Sequence, residues 1–329
     1  MTKVSVLIAV YNAKDYLSEC LNSLIAQTMT DWEAICVDDA SEDRSVGILK
    51  EYAQRDSRIK LMQLQQNHGQ AYARNQALAM AKGQYVAFLD SDDWLSPDAL
   101  EKVVDCFEHT PLTDVVLFQL VYVKDSKGTR NIWKYPQKRF EVLSGEEAFR
   151  LSLDWTIHGV YVVKADIHRR YPYDDSSRWY SDDNTTRLHY LAAREVRECD
   201  GIYYYRQHSK SVTHTIDIHR FDYLQANMSM RRLLKENNAS EDVVAFYENV
   251  RWLNVVDVYM FYYKHRKEFC EKDRREGLAK IREAWQSIDT HSLKPRNKLK
   301  FGYCPFRCSW RLFRVEEELY FFLRSLLKR

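Results

Sequence analysis

Short apolar runs at Val4 to Val10, Trp32 to Val37, Ile59 to Leu64 and Tyr85 to Leu89 alternate with longer stretches whose apolar residues recur at helical spacing. Such runs, apolar at consecutive positions, suit strands covered on both faces. Between them, Asp15 to Gln27 places Tyr16, Leu17, Leu21, Leu24 and Ile25 on one helical face, and Asp43 to Ala53 does so with Val46, Leu49 and Tyr52. The third connection, Gln70 to Ala81, is rich in alanine and stops at Gly83. Strand and helix in alternation make βαβ units, whose right-handed crossovers give a mostly parallel α/β sheet. Ligands of such sheets bind beyond the carboxyl ends of the strands. Tyr11-Asn12, Asp38-Asp39 and Asp90-Ser91-Asp92 are all exits on that edge.

The fourth run is the most unusual, because Asp90, Asp92 and Asp93 follow it within four positions. Carboxylates this close repel one another, and a hard cation such as Mg²⁺ or Mn²⁺, held together with a phosphate, would relieve the repulsion. The other reading is a solvated turn, with Asp92 or Asp93 capping a helix that starts near Ser96-Pro97.

Further along, a helix at Pro97 to Phe107 leads to a strand at Asp114 to Val123 and a polar hairpin or loop at Lys124 to Lys138. Gly145 to Leu153 reads as a short helix, His158 to Val163 as a strand or strand edge, and Tyr171 to Tyr180 as loop. A helix then begins at Asp182-Asp183, and Glu195 to Tyr205 is a final strand. Beyond His214 helical periodicity dominates: Phe221 to Leu234, Ser240 to Tyr263, Arg274 to Ile288 and Arg311 to Leu327. We therefore divide the chain into residues 1–214 and a helical region, 215–329.

At 329 residues, with a formal charge of +2, the chain carries no overall bias toward nucleic acid, and no nucleic-acid partner is expected. Its amino terminus runs straight into a strand-like segment and contains no signal-peptide pattern, and no apolar run is long enough to span a bilayer. Seven dispersed cysteines fit reduced thiols in a cytoplasmic protein.

Together the motifs resemble those of the family 2 glycosyltransferases, in the bacterial branch that makes surface polysaccharides and wall glycopolymers. The resemblance covers about Val4 to Thr213. It rests on Val-Ser-Val-Leu-Ile-Ala-Val-Tyr-Asn12, Val-Asp-Asp-Ala-Ser41, Asn67-His-Gly69 with Ala73-Arg-Asn75, Phe-Leu-Asp-Ser-Asp-Asp93, Ser-Asp-Asp183 and Tyr-Tyr-Arg206-Gln-His-Ser-Lys-Ser211. It implies the GT-A nucleotide-diphosphosugar transferase fold with a C-terminal helical extension, and a hexosyl- or N-acetylhexosaminyl-transferase.

What the resemblance implies for residues is specific. Tyr11, Asn12, Asp38, Asp39, Arg74 and Asp90 would lie at the donor, and Asp92 would bind Mn²⁺ or Mg²⁺ across the diphosphate. Arg206, His208 and Ser211 would close over that diphosphate, with His208 able to complete the metal's coordination. Asp183 would be the base of an inverting transfer, with Asp182 standing where glutamate is usual. Each has a plainer alternative: Asp38 or Asp39 capping the Asp43 helix, Arg74 in a structural salt bridge to Asp39 or Asp90, and Asp182 or Asp183 as an N-cap. Asn75 reads as a structural tie between loops, Asp93 as a supporting or acceptor-facing group, and His158 as either a donor contact or packing behind Trp155.

The expected reaction is metal-dependent, inverting transfer from a nucleotide sugar, with a UDP-sugar as the expected donor, to a saccharide or lipid-linked saccharide. The competing reading is an inactive sugar-nucleotide-binding or scaffold protein of the same fold. The tail, with ten Lys or Arg against three Glu from Ser292 onward, leaves two roles open: peripheral contact with the inner face of the cell membrane, or packing against other helices or a second subunit.

Overall fold

The computed structural model describes residues 2–126, 129–137, 139–175, 180, 182–207, 217–298 and 309–327, and divides into two compact units, Met1–His214 and Thr215–Arg329. In the first unit β1 (Val4–Val10), β2 (Trp32–Asp38), β3 (Ile59–Gln63) and β4 (Tyr85–Phe88) are parallel, in the order β3-β2-β1-β4. Their connections are α1 (Leu17–Ile25), α2 (Ser45–Arg55) and α3 (Gln70–Met80). Val4, Val6, Ile8 and Val10 pack into one cluster with α1, whereas Leu7 joins the cluster of Ile35, Val37 and the α3 alanines on the other face. Alternation along a strand buried on both sides thus explains the continuous apolar run.

Register sets the site edge. Val10 is level with Asp38 and Asp38 with Gln63, while Phe88 is level with Leu7. The exits of β1, β2 and β4 consequently open on one edge of the sheet.

Past β4 the sheet becomes mixed. β5 (Trp94–Leu95) and α4 (Ala99–His109) precede the long β6 (Thr113–Ser126), with β7 (Thr129–Lys134) folding back on β6 as a hairpin. β8 (Leu143–Ser144), α5 (Gly145–Ser152), β9 (Tyr161–Lys164), α6 (Ala165–Arg170), α7 (Asp182–Ala192) and β10 (Glu195–Arg206) complete the unit. The full order is β3-β2-β1-β4-β9-β6-β10-β5. β9 is an interior strand, antiparallel to both β4 and β6, with Tyr161, Val162 and Val163 buried. The strand expected around His158 to Val163 therefore starts later and lies at the centre of the sheet.

A short 3₁₀ turn, Ile218–Phe221, opens the second unit and leads into α8 (Asp222–Glu236), α9 (Glu241–His265), α10 (Glu271–Ser287), α11 (Pro295–Lys298) and α12 (Trp310–Leu327). Its core is strongly aromatic, with Phe221, Trp252, Tyr259, Trp285, Phe313 and Phe321 buried together. Among the described residues no helix is long and apolar enough to cross a membrane. The five described cysteines are free; Cys304 and Cys308 lie outside the described residues.

Candidate functional site

At the end of β2, Asp38 Oδ2 accepts the Ser41 N–H at 3.1 Å, while its buried Oδ1 has no hydrogen-bond partner among the described residues. Asp39 is buried as well. Its N–H donates to the Val10 carbonyl (2.8 Å), and its two carboxylate oxygens accept the N–H groups of His68 and Gly69, both at 2.8 Å. Gly69 adopts φ 94°, a conformation open to glycine, which lets the loop turn its amides onto that carboxylate at the start of α3. Asp39 thus supports α3 and does not cap α2, where Asp43 itself accepts the Ser45 N–H at 2.9 Å. Asn12, at φ 50°, accepts the Glu42 N–H and donates its own N–H to Ser41 Oγ, stitching the β1 exit to the β2 exit; Tyr11 beside it is half exposed.

The acidic turn after β4 is held from three sides. Asp90 pairs with Arg74, accepts from Gln70 Nε2 at 2.9 Å, and donates its N–H to the Tyr203 hydroxyl at 3.1 Å. Asp93 is fully buried: Tyr203 donates to Oδ2 at 2.8 Å and the Arg206 N–H to Oδ1 at 2.7 Å. Burial and the neighbouring Asp90 and Asp92 charges raise its pKa well above the ordinary carboxyl value, against these two bonds. It ties β10 to the turn. Neither Asp92 nor Asp93 caps α4, whose N-cap residue is Asp98.

Asp92 is partly exposed at the surface of the turn. Asp90 of the same motif is partly exposed too, but its carboxylate is already engaged by Arg74 and Gln70. Among the described residues no three carboxylate, imidazole or thiol groups cluster as a metal cage. A hard-oxygen donor at this turn fits a cation completed by substrate phosphate and water, the arrangement Mg²⁺ and Mn²⁺ favour at phosphate sites.

Arg206, expected to close over a diphosphate, is engaged here by groups of its own unit. Its Nε donates to the Asp92 carbonyl at 2.9 Å and Nη2 pairs with Glu19 of α1. The guanidinium carbon lies 5.0 Å from the Tyr16 ring centre and 4.6 Å from that of Trp94, so the cation is spent on the protein's own acid and aromatic faces. His208 and Ser211 lie outside the described residues.

Arg74 joins the acidic turn to the beginning of α7. Buried between Phe88 and Tyr173, it pairs with Asp90 through Nη2 and stands 4.0 Å from Asp182 Oδ2 through Nη1. Burial opposes its charge, but Asp90, Tyr173 and Asp182 more than offset this and raise its pKa. The salt bridge to Asp90 that sequence left open is thus formed. Asn75, one residue on, accepts the Tyr173 N–H and donates to the Tyr173 carbonyl, both at 2.9 Å.

Asp182 and Asp183 are the first residues of α7, where a helix N-terminus favours acidic side chains. Asp182 is more exposed, and its Oδ1 accepts the Asp183 N–H at 3.2 Å. Burial pushes the Asp183 carboxyl up to about 7, with Arg187 at 3.8 Å opposing the rise and Asp182 adding to it. Such a group can accept a proton near neutral pH.

His158 is buried against Tyr135, accepts the Val160 N–H on Nδ1, and is lowered to about 3 by burial. The ring thus packs on Tyr135, where the sequence suggests Trp155. Gln70, Tyr203, Glu19 and Arg187 were missed from sequence. Only Arg187, four residues after Asp183 on a helix, carried a local signal.

A family model described as Glycosyl transferase family 2 matches residues 5–174. TuaG of Bacillus subtilis (strain 168), a glycosyltransferase named for teichuronic acid biosynthesis, is 47% identical over 102 residues, which are 31% of this chain and 40% of that protein. The chain thus spans less than half the length of that relative. Residues 1–349 of S. aureus TarS in complex with UDP-GlcNAc superpose with a TM-score of 0.69 at 18% identity, covering 97% of this chain and 89% of that one. The mannosyltransferase PcManGT from Pyrobaculum calidifontis, in complex with GDP-Man and Mn²⁺, gives 0.52 at 15% identity, covering 99% and 88%. At these identities the likeness is one of fold, and it is the GT-A arrangement. Matched by the family model over more than half of its length, the chain belongs to glycosyl transferase family 2.

Proposed function

We propose that the protein transfers a sugar from a UDP-sugar to a hydroxyl of a saccharide or lipid-linked saccharide, with inversion, in building a surface polysaccharide or wall glycopolymer. The observation that carries this reading is Arg74, one buried cation in reach of both Asp90 and Asp182, which brings the Asp-X-Asp turn and the start of α7 to a common place. A donor lying over the strand exits would then have its diphosphate beside Asp92 and its sugar toward Asp183.

In this reading the unpartnered Asp38 Oδ1 accepts from the nucleotide, and Asp39 holds the loop before α3 beneath it. Mn²⁺ or Mg²⁺, held by Asp92, would offset the charge that develops on the departing nucleoside diphosphate. Asp183 takes the proton from the acceptor hydroxyl as its oxygen attacks the anomeric carbon opposite the leaving group. Asp182 and Arg187 set the affinity of Asp183 for that proton. A neighbour in fold bound to GDP-Man and Mn²⁺ supports the cofactor, and another bound to UDP-GlcNAc supports the donor. A lipid-linked acceptor would put the reaction at the inner face of the cell membrane.

The test is nucleotide release from a panel of UDP- and GDP-sugars with Mn²⁺, Mg²⁺ or EDTA. Asp92→Ala is expected to remove the metal response and donor binding. Asp183→Asn keeps donor binding and lowers turnover by about 100-fold or more. An Asp92→Ala enzyme with unchanged metal response removes the cation assignment, and a wild type that binds but turns over none of the donors supports the inactive binder.

A further inference from the structure

α12 carries a second apolar face that its own unit does not bury. Phe313 and Phe321 point into the aromatic core, and the helix is fixed there by Arg314, which donates to the Tyr259 hydroxyl and pairs with Glu318. On the outward side Leu312, Val315, Leu319, Phe322 and Leu326 are each 46–68% exposed, with Leu323 beside them. Their spacing is three, four, three and four residues. That is the a/d repeat of a helix seated against other helices, with Leu312, Leu319 and Leu326 at a, and Val315 and Phe322 at d.

We infer that this face is the contact between copies of the chain, and that three α12 helices pack side by side and parallel about a threefold axis. Two features favour more than two strands. Two-stranded seams prefer a β-branched residue at a with leucine at d, whereas here leucine occupies a and the β-branched Val315 is at d. Leu323 also extends the apolar surface to the adjoining e position, which a narrow two-helix seam would leave in water.

Charge fixes the direction. Arg311 is at g and Glu316 at e, five residues on, and neither has an ion-pair partner among the described residues. Parallel helices bring the g residue of one copy against the e residue five positions further along its neighbour, so Arg311 meets Glu316 of the adjacent copy at every interface of the ring. Antiparallel packing would set the basic start of α12 (Arg311, Arg314) against Arg324 near its other end. Because α12 is already held as a helix by its own core, association does not have to meet the cost of forming it.

Light scattering coupled to size exclusion, on the full chain over a wide concentration range, tests this. The expected mass is about three times the 39.2 kDa chain. Leu319→Glu and Phe322→Glu should each lower it threefold with the circular dichroism unchanged. Arg311→Glu should weaken the assembly, and Arg311→Glu combined with Glu316→Arg should restore it. A wild type monomeric at every concentration overturns the proposal, as does a trimer indifferent to Leu319→Glu and Phe322→Glu. Monomers that co-sediment with phosphatidylglycerol vesicles and lose this with Leu319→Glu would assign the face to lipid instead.

Discussion

Arg74, inside α3, is ion-paired with Asp90 at the exit of β4, and the arginine side chain is almost wholly buried while the carboxylate keeps some contact with water. Removing the cation leaves Asp90 facing the charges of Asp92 and Asp182 with nothing close to offset them. Arg74→Ala is expected to destabilise the protein by about 3 kcal/mol, the lower end for one partner of a buried pair because Asp90 is partly solvated. Asp90→Asn in the same background should recover part of that loss in urea denaturation. A single Arg74→Ala without effect would show that the pair does not hold the turn.

Asp183 should leave its signature in the pH profile. The reactive form is the carboxylate, and with its pKa pushed up to about 7, turnover at saturating substrate should climb as pH passes through that value. Asp182→Asn takes away a like charge and should move the rising limb to lower pH; Arg187→Met takes away an opposing one and should move it higher. The same shift acts on stability with a defined sign. The folded carboxyl keeps its proton to about 7 whereas the unfolded one loses it near 3.8, so its stabilising contribution is complete below the lower value and lost as pH rises through the upper. Asp183→Asn should therefore raise the Tm at pH 8 while lowering turnover by the same factor of about 100 or more.

How much of this was legible in sequence depends on whether the signal is local. β1 to β4 and α1 to α3 were readable because each apolar period repeats within its own element, and the Asp90 turn because three acids follow a buried strand. β5 has two residues and no period to read; β9 has four, too few to separate a central strand from an edge. Asp39 and Arg206 show the other limit. Sequence names them as charged groups near an exit, but which donors reach the Asp39 carboxylate is decided by the loop before α3, 29 and 30 positions away. The acid that engages Arg206 is 187 positions away on α1. Tyr203 lies in the strand expected over Glu195 to Tyr205 and is buried, but nothing local shows that its hydroxyl bonds Asp90 and Asp93.

Buried histidines should make the first unit sensitive to acid. His189 Nε2 lies 2.8 Å from the Tyr171 carbonyl, which requires the proton on that nitrogen, so Nδ1 is left to accept from the Tyr161 hydroxyl at 2.7 Å. Burial lowers His189 to about 4 and His158 to about 3, and lowers His168 too. The unfolded chain takes up these protons near 6.5, so the stability they contribute is complete above that pH and lost as pH falls toward 4. Asp183, Asp93, Asp90 and Glu198, whose carboxyl pKa values burial raises, act with the opposite sign, so the net slope of stability with pH is set by both kinds of group. His189→Gln, with no group titrating there, isolates the histidine share: its Tm should lose less than that of the wild type between pH 7 and pH 5.

Gly145 allows a test of whether the placement of α7 matters for turnover apart from stability. It follows Ser144, whose hydroxyl accepts the Glu147 N–H while the Glu147 carboxylate accepts the Ser144 N–H, so the start of α5 is fixed by a capping box. A Cβ at Gly145 would stand 2.2 Å from the Ala193 carbonyl oxygen and 2.4 Å from that of Tyr190, backbone atoms at the end of α7 that no side-chain rotation can clear. Gly145→Ala must push α5 and α7 apart, at a cost of about 1–3 kcal/mol. Because α7 begins with Asp182 and Asp183, the displacement should lower kcat per folded molecule more than it weakens donor binding. Gly47→Ala is the matched control. Its Cβ would meet only Arg44 Cγ at an ordinary 3.6 Å in α2, and it should gain about 0.5–1 kcal/mol from helix propensity with kcat unchanged. Equal kcat in both variants would show that the carboxylates at the start of α7 tolerate a shift of the helix.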